Sequence, residues 1–264
     1  MPERGGLAFC RDSSRLSTRR DFLKRTSAAA GTIALTSLLG GSKILLIAAD
    51  KPEKEGPWWG VGIDISKCIG CGQCAKACKT ENNVPQEPFY FRTWVEHYTV
   101  LNDGTVKVES PNGGIDEMPQ SVDEEDIFKT FFVPKMCNQC AKSPCTQVCP
   151  VGATFESPDG VALIDQSYCI GCAYCVQACP YGCRYIHPEK KTADKCTLCY
   201  HRITKGLDPA CMEICPTGAR IYGDLNDKDS ELVRYLKENN TQVLKPHLNT
   251  GAKLFYNALN SEVS

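Results

Sequence analysis

The chain carries four closely spaced groups of four cysteines. The run from Cys68 to Lys79 reads C-I-G-C-G-Q-C-A-K-A-C-K, and a near-copy, C-I-G-C-A-Y-C-V-Q-A-C-P, begins at Cys169. Thiols repeated at such spacing restrict the fold strongly, because each group must converge on whatever it binds. We number the motifs in chain order: Cys68, Cys71, Cys74 and Cys78; Cys137, Cys140, Cys145 and Cys149; Cys169, Cys172, Cys175 and Cys179; Cys196, Cys199, Cys211 and Cys215.

The spacing of motifs one and three, C-x2-C-x2-C-x3-C, is that of bacterial ferredoxins. In such a run three thiolates bind one [4Fe–4S] cluster, and the fourth cysteine binds the neighbouring cluster. We expect Gly70 and Gly171 to let the backbone approach the inorganic sulfides, since glycine has no side chain. Pro150, Pro180 and Pro216 follow the last cysteine of three motifs and fix the chain direction there. The sequence therefore predicts iron–sulfur clusters.

Zinc and disulfides are the alternative uses of these cysteines. Zinc sites with four cysteines usually consist of two C-x2-C pairs separated by a loop, unlike triplets with a distant fourth cysteine. Disulfides are compatible with an exported protein but do not require a repeated spacing. Of the two cysteines outside the motifs, Cys10 stands alone, and Cys183 occupies the place of Ala153 and Ala219 in the other Cys-Pro-x-Gly units. We expect Cys183 to be a small packed residue rather than a ligand.

Motifs one and three share further features, which indicate an internal duplication. Each has an aspartate, Asp64 or Asp165, four residues before its first cysteine. Between the motifs, Pro-Asp-Gly within residues 153–165 and Asn-Asp-Gly within residues 91–109 predict two β-hairpins. We expect a loop at residues 111–126 and a short helix within residues 229–239. The predicted fold class is α+β.

The first fifty residues have the layout of an export signal. Leu16 to Arg25 reads L-S-T-R-R-D-F-L-K-R, and an apolar stretch rich in small residues follows. The pair Arg19-Arg20 before Asp-Phe-Leu-Lys resembles the twin-arginine signal. A basic arm or a membrane helix is the alternative, although Lys43 interrupts the apolar stretch that a span of about 20 residues needs. We predict twin-arginine export to the periplasm or the outer face of the cytoplasmic membrane.

The charge balance shows no excess of basic residues. The net charge is −1 and the pI is about 6.4, so we expect no nucleic-acid partner. Each oxidised cluster with four thiolates carries about −2. Basic residues between the motifs either compensate this charge and tune the potentials or form an ordinary solvated surface, and the sequence leaves both interpretations open. These residues are Lys67, Lys76, Lys79, Lys135, Lys142, Arg184, Lys195 and Arg202.

Residues 58–256 resemble the four-cluster iron–sulfur subunit of the complex iron–sulfur molybdoenzyme family, which includes the electron-transfer subunits of dimethyl sulfoxide, tetrathionate, thiosulfate and polysulfide reductases. The resemblance covers G-I-D-I-S-K-C-I-G-C-G-Q-C-A-K-A-C-K-T-E-N-N, M-C-N-Q-C-A-K-S-P-C-T-Q-V-C-P, the K-C-T-L-C run and the tail L-K-P-H-L-N-T-G-A-K-L-F-Y. One departure is Lys79, which stands where the other motifs have proline.

The resemblance implies two ferredoxin-like halves related by a pseudo-twofold axis, in which motif one pairs with motif four and motif two with motif three. All sixteen motif cysteines are present, so four [4Fe–4S] clusters are expected. The implied iron ligands are set A, Cys68, Cys71, Cys74 and Cys215; set B, Cys78, Cys196, Cys199 and Cys211; set C, Cys137, Cys140, Cys145 and Cys179; and set D, Cys149, Cys169, Cys172 and Cys175.

The resemblance also implies a function and an organisation. The chain is expected to relay single electrons between a quinone-linked membrane partner and a catalytic molybdopterin-type subunit with molybdenum or tungsten. No acid–base pair or nucleophile suggests bond chemistry of its own or a small-molecule substrate. We expect a signal at residues 1–50, a four-cluster domain at residues 58–225 with an insertion at 87–133, and a C-terminal helix and tail at 226–264 packed on or beside that domain.

Three other functions remain open from the sequence. The chain is alternatively the relay subunit of an exported hydrogenase or formate dehydrogenase, although those relatives often carry a C-terminal membrane helix. It is alternatively a structural or assembly subunit whose clusters do not turn over, or a free periplasmic ferredoxin. Redox titration separates the structural subunit from the relays, because its clusters would be silent.

Overall fold

The computed structural model describes residues 56–119 and 122–263, and the predicted signal at residues 1–50 lies outside them. Short strands alternate with short helices, in agreement with the predicted α+β class. The strands are β1 (Trp59–Asp64), β2 (Thr93–Leu101), β3 (Val106–Glu109), β4 (Ile127–Met136), β5 (Thr154–Glu156), β6 (Ala162–Ile164), β7 (Arg184–Ile186), β8 (Ala193–Lys195), β9 (Arg220–Asp224), β10 (Thr241–Gln242) and β11 (Leu254–Asn257). The helices are α1 (Gln73–Asn82), α2 (Pro144–Gln147), α3 (Tyr174–Gln177), α4 (Tyr200–Ile203), α5 (Ala210–Glu213) and α6 (Glu231–Glu238).

The strands that flank the cysteine motifs pair in a repeated pattern. β1, which precedes motif one, pairs antiparallel with β9, which follows motif four. In the same way β6, before motif three, pairs with β5, after motif two. β2 and β4 lie after motif one and before motif two, and they pair as β7 and β8 do after motif three and before motif four. Exchanging motif one with three and motif two with four therefore maps each strand pair onto another.

The aspartates that precede motifs one and three form the same turn. Asp64 Oδ1 accepts hydrogen bonds from the backbone N–H and the hydroxyl of Ser66, at 3.2 and 2.6 Å. Asp165 Oδ1 accepts the same pair from Ser167, at 2.9 and 2.6 Å. Side chains of this kind stabilise a turn by replacing a backbone acceptor. The shared aspartates thus set the direction in which the chain enters each motif.

Both predicted hairpins and the predicted helix are confirmed. Residues 153–165 form the β5–β6 hairpin, and residues 91–109 form the β2–β3 hairpin. α6 lies within the predicted helical range, residues 229–239. The predicted loop at 111–126 contains two short 3-10 turns, Pro111–Gly114 and Glu124–Asp126. β4 adds a third strand to the β3-β2-β4 sheet and leads directly into motif two.

The C-terminal tail contributes a strand to the largest sheet, whose order is β10-β11-β1-β9. β11 runs parallel to β1, and its residues Leu254 and Tyr256 are completely buried. They pack in one apolar core with Ile63, Met136 and several motif cysteines. β11 therefore shares a core with the cysteine motifs, whereas Leu232 and Tyr235 of α6 pack against Ile221 of β9. Among the residues described, no helix is both long enough and apolar enough to span a membrane.

Candidate iron-sulfur sites

Three of the four predicted ligand sets each line a cavity of their own. The cavities of sets A and C each hold about 330 Å³ of empty space, and that of set B about 260 Å³. Each cavity joins cysteines from two motifs, as where Cys215 meets the first three cysteines of motif one. Each is also lined by one arginine: Arg220 in set A, Arg92 in set B and Arg184 in set C.

Set D, like set A, has one exposed cysteine, which is Cys172, and two half-buried ones. Cys175 is buried and packs with Cys169 and with Cys145 of set C. The backbone N–H of Ala193 donates to Cys169 Sγ at 3.3 Å, which is a suitable contact for a thiolate acceptor. Set D therefore adjoins set C near the molecular surface.

In every motif the residue before the second cysteine has a left-handed backbone. Its φ is +72° at Gly70, +71° at Gly171, +44° at Gln139 and +55° at Leu198. A left-handed residue turns successive peptide N–H groups towards one side, which is the geometry of an anion-binding concavity. The N–H of Leu198, for example, donates to the Sγ of Cys196 at 3.3 Å. The turns thus favour negatively charged sulfur at each site.

The two glycines among these residues, Gly70 and Gly171, also pack closely against other parts of the chain. A Cβ at Gly70 would clash with the ring of Phe132, and a Cβ at Gly171 would clash with the carbonyl oxygen of Lys191. Glycine is therefore needed for close packing as well as for the positive φ. The predicted close approach of these glycines to cluster sulfides stays a prediction.

The three Cys-Pro-x-Gly units form one kind of turn around the last cysteine of a motif. The glycine N–H donates to the carbonyl oxygen of that cysteine at 3.3–3.4 Å, as in Gly152 to Cys149. Although burial acts to raise it, neighbouring backbone N–H groups, those of Thr154 and Val151 foremost, hold the pKa of Cys149 below its ordinary value. Since the thiolate is the form that binds metal, the turn favours the binding form of the cysteine.

Motif one has Lys79 in place of this proline, and α1 continues past its fourth cysteine. The side chain of Lys79 is buried, and its Nζ donates to the carbonyl oxygens of Pro85, Gln86 and Glu87, at 2.9, 3.2 and 3.0 Å. The same Nζ lies 4.2 Å from the ring centre of Phe91. Lys79 therefore fastens the loop that follows α1, which is a structural reason for the departure from proline.

Two family models match the chain, both described as a 4Fe-4S dicluster domain, over residues 67–153 and 128–225. A tetrathionate reductase subunit of Salmonella typhimurium is 42% identical over 196 residues, which are 74% of this chain and 70% of the relative. A polysulfide reductase chain of Wolinella succinogenes is 34% identical over 198 residues, 75% of this chain and 92% of the relative. The protein NrfC of Escherichia coli is 35% identical over 240 residues, 90% and 94% of the two chains.

The chain belongs to the family of iron–sulfur electron-transfer subunits of complex iron–sulfur molybdoenzymes. As a member of this family it binds [4Fe–4S] clusters and relays electrons. The cavities fit such clusters, because they are lined by thiols, by backbone N–H groups directed at sulfur and by a buried cation. When bound, a [4Fe–4S] cluster accepts and donates one electron.

Arg220 places a buried positive charge between sets A and B of this electron-transfer subunit. Its Nη2 lies 3.2 Å from Cys74 Sγ and donates to Thr93 Oγ1 at 2.9 Å. Burial acts to lower the pKa of Arg220, but the neighbouring Cys74 and Cys211 outweigh it and raise the pKa. Arg184 has the corresponding position between sets C and D, beside Cys145 and Cys175. Each arginine therefore compensates the charge of two adjacent sets.

The basic residues of the interleaved segments divide into two groups in this family member. Lys79, Lys135, Arg184 and Lys195 are buried, whereas Lys67, Lys76 and Lys142 are exposed and Arg202 is half-buried. Lys195 is fully buried, and its Nζ donates to the carbonyl oxygens of Cys196 and Ala162. Charge compensation thus fits Arg184 and Lys195, which lie beside motif cysteines, whereas Lys79 binds a loop and Lys135 pairs with Glu96. An ordinary surface role fits the rest.

Cys183 occupies a packed position, as the sequence suggests. It is 2% exposed, and its Sγ donates to the carbonyl oxygen of Met136 at 3.1 Å. The side chain of Cys183 is also the largest of the influences that lower the pKa of Cys179 in set C to about 6. Cys183 therefore supports a predicted ligand from a position beside it.

Sequence reasoning missed the arginines of two cavities, Arg92 and Arg220. A signal existed for one of them, since Arg220 stands five residues after Cys215 just as Arg184 stands five residues after Cys179. Arg92 carries no such signal, because it lies between motifs one and two and reaches set B only through the fold.

Proposed function

We propose that this subunit relays single electrons through four [4Fe–4S] clusters, bound by sets A, B, C and D, between a quinone-linked membrane partner and a catalytic molybdopterin-type subunit. The observation that carries the proposal is the convergence of four thiols and one arginine in each of three separate cavities. A buried cation beside thiolates stabilises the more negative, reduced state of a cluster. The protein thereby supplies insulation from water, spacing and tuned potentials.

The neighbours of the four sets support a linear order A, B, C, D. Arg220 lies between sets A and B, and Arg184 lies between sets C and D. Sets B and C meet where Cys196 lies close to Cys137. Cys71 of set A and Cys172 of set D are exposed, so the two terminal sets are the ones that partners reach.

The repeated strand pairing supports a pseudo-twofold arrangement of two ferredoxin-like halves, one from motifs one and four and one from motifs two and three. In this arrangement residues 58–225 hold the clusters, residues 87–133 are an insertion between motifs, and residues 226–264 complete the domain. The β3-β2-β4 sheet belongs to the insertion and delivers the chain to motif two.

Export by the twin-arginine route remains part of the proposal, on the strength of Arg19-Arg20 and the apolar stretch after them. That route would leave the subunit in the periplasm or on the outer face of the cytoplasmic membrane. A quinone-linked partner is supported by a relative, the Hdr-like menaquinol oxidoreductase iron-sulfur subunit 1 of Archaeoglobus fulgidus, which is 31% identical over 93% of this chain.

Elemental analysis of the complex tests the proposal most directly. The complex is isolated anaerobically from its native host through a tag on this subunit. We expect iron near sixteen atoms per chain, stoichiometric molybdenum or tungsten, and a co-purifying catalytic chain. Nickel in place of molybdenum would indicate a hydrogenase relay. Iron alone, without a partner, would indicate a free carrier or structural subunit, and zinc in place of iron would overturn the cluster assignment.

A further inference from the structure

Asn82, the last residue of α1, brings a side-chain amide to two thiols of set B. Its Nδ2 lies 3.5 Å from Cys78 Sγ and 3.6 Å from Cys199 Sγ. Asn82 reaches Cys78 because it lies one helical turn further along α1, where side chains four residues apart share a face. Cys199 comes from motif four, so the amide bridges thiols contributed by two different motifs.

The orientation of this amide is fixed by a second contact. Asn82 Oδ1 accepts a hydrogen bond from Arg92 Nη1 at 3.0 Å, which requires the amide nitrogen to face the thiols. Nδ2 also lies 3.2 Å from the carbonyl oxygen of Cys78, which shares the two N–H groups of the amide with the thiols. The oxygen and nitrogen of the amide therefore have distinct partners, and both partners agree on the same orientation.

Arg92 is itself held by a buried ion pair. Its Nη2 lies 2.8 Å from Asp194 Oδ1, and its Nε donates to Asp194 Oδ2 at 3.3 Å. Tyr185 donates its hydroxyl to the same carboxylate at 2.7 Å. Asp194 is 3% exposed and Arg92 is 9% exposed. The ion pair therefore holds Arg92 in place both beside the thiols of set B and against the amide oxygen of Asn82.

We propose that Asn82 is a positioning residue for the set B cluster: its amide faces two of the four thiolates and raises the reduction potential of that cluster, while the other three potentials do not depend on it. Hydrogen bonds to cluster sulfurs favour the reduced state, because one added electron increases the negative charge on the sulfurs. The proposal deepens the relay function and rests on the assignment of set B. Under this proposal Asn82 changes the reduction potential of a cluster, whereas a residue that only capped the helix would change stability alone.

Three variants of the complete complex test this role. Asn82→Leu removes the amide, and Asn82→Asp keeps an oxygen for Arg92 but replaces the N–H donors with a carboxylate. Arg92→Lys keeps the positive charge but loses the paired contact with Asp194. Thr80→Ala is the matched control, since Thr80 is exposed on the same helix and donates only to the carbonyl oxygen of Lys76.

The readout is an anaerobic redox titration followed by electron paramagnetic resonance, together with the iron content of each sample. We expect both Asn82 variants to retain iron and to lower one midpoint potential while the other three stay unchanged. Arg92→Lys should lower the same midpoint by less, and Thr80→Ala should lower none. A Cys199→Ser variant identifies the set B signal, because it replaces a ligand of that set.

Two outcomes contradict different parts of the argument. If Asn82→Asp retains iron and all four midpoints are those of the wild type, the positioning role is overturned while the relay function stands. The role is equally overturned if the shifted midpoint differs from the one altered by Cys199→Ser. If Cys199→Ser alters no signal, the assignment of set B fails irrespective of Asn82.

Discussion

At the scale of single residues, the cluster sites of this subunit contain buried cations as well as cysteines. Arg220 is 5% exposed and lies beside thiols of sets A and B, and Arg184 is similarly buried beside sets C and D. A buried charge is tolerated only where an opposite charge lies next to it. The arginines and the thiolates therefore stabilise one another, so changing either should disturb both.

Replacing Arg220 by methionine should lower the potentials of the set A and set B clusters. The variant removes the cation that stabilises the reduced state of both sets. A loss of about 1.4 kcal/mol in that preference lowers a one-electron potential by about 59 mV. Anaerobic redox titration measures the shift, and Arg220→Lys should show a smaller one. Arg202→Met is the control, because Arg202 is half-buried and pairs with the carboxylates of Glu81 and Glu213; an equal shift there would refute the local explanation.

Replacing Lys79 by methionine should loosen the loop after α1. The three carbonyl oxygens that Lys79 binds would lose a charged donor, and each such hydrogen bond contributes about 1.5–3 kcal/mol. We expect amide hydrogen exchange to accelerate at least tenfold at residues 83–91, with little change in β1. Lys76→Met, an exposed change on the same helix, should leave exchange as it is. Unchanged protection in Lys79→Met would show that the loop is held by other contacts.

The sequence allowed the sixteen cysteines to be selected, because their spacing is itself the signal. It did not allow Asn82 and Arg92 to be selected, because their role depends on contacts formed across the fold. Asn82 meets Cys199 of motif four, and Arg92 meets Asp194 of β8. Neither contact corresponds to any local periodicity or spacing. Residues that tune a site from outside its motif are therefore the part that single-sequence reasoning misses.

At the scale of elements, the turns around the cysteines need glycine for two different reasons, a left-handed backbone and a lack of space for a side chain. Gly72 and Gly152 have nearly the same left-handed backbone, with φ of +66° and +68°. A Cβ at Gly72 would clash with the carbonyl oxygen of Gly114, whereas a Cβ at Gly152 would meet nothing within 4 Å. A side chain at either position would therefore be strained by the left-handed backbone. Only at Gly72 would it also collide with neighbouring atoms.

Gly72→Ala should therefore be far more harmful than Gly152→Ala. A left-handed alanine costs about 1–2 kcal/mol at either position. At Gly72 the backbone contact forces α1 or the turn at Pro111–Gly114 to move, which displaces the first motif. We expect Gly152→Ala to retain iron and solubility, and Gly72→Ala to lose iron or aggregate. Iron content and thermal unfolding of the anaerobic proteins check this, and similar losses in both variants would contradict the steric account.

The hairpins were predictable because each has a glycine turn between apolar runs, but β4 was not. β4 contains Pro134, and a proline within a run argues against a strand. The strand is nevertheless formed, because it lies at the edge of the β3-β2-β4 sheet, where a missing N–H is tolerated. Position in the sheet is a tertiary property, so the segment alone did not reveal it.

At the scale of the whole molecule, the motif pairing is a long-range feature that spacing alone left undetermined. The pairing of motif one with four and of motif two with three was predicted only from the family resemblance. In the structure, thiols from the beginning and the end of the domain line common cavities, and β1 lies between β9 and β11 of the C-terminal part. The ends of the domain are thus joined both by a sheet and by the proposed clusters.

Removing the iron should unfold this subunit as a whole. Each proposed cluster crosslinks distant segments, and when a metal site forms only with the fold, the binding free energy is also folding free energy. Without iron the thiolates lose their partner, and burial raises the pKa of Cys196 and of Cys140 to about 12, so these two buried cysteines would be neutral thiols.

Anaerobic chelation with a thiol-free reductant present to prevent disulfides, followed by circular dichroism and hydrogen exchange, measures the effect. We expect strand and helix signals to decrease in parallel with iron loss and protection in β1 and β11 to disappear. The same treatment without chelator is the control. An iron-free protein that kept its protection in these strands would show that the apolar core around Ile63 and Tyr256 suffices for the fold, and that the clusters contribute little to its stability.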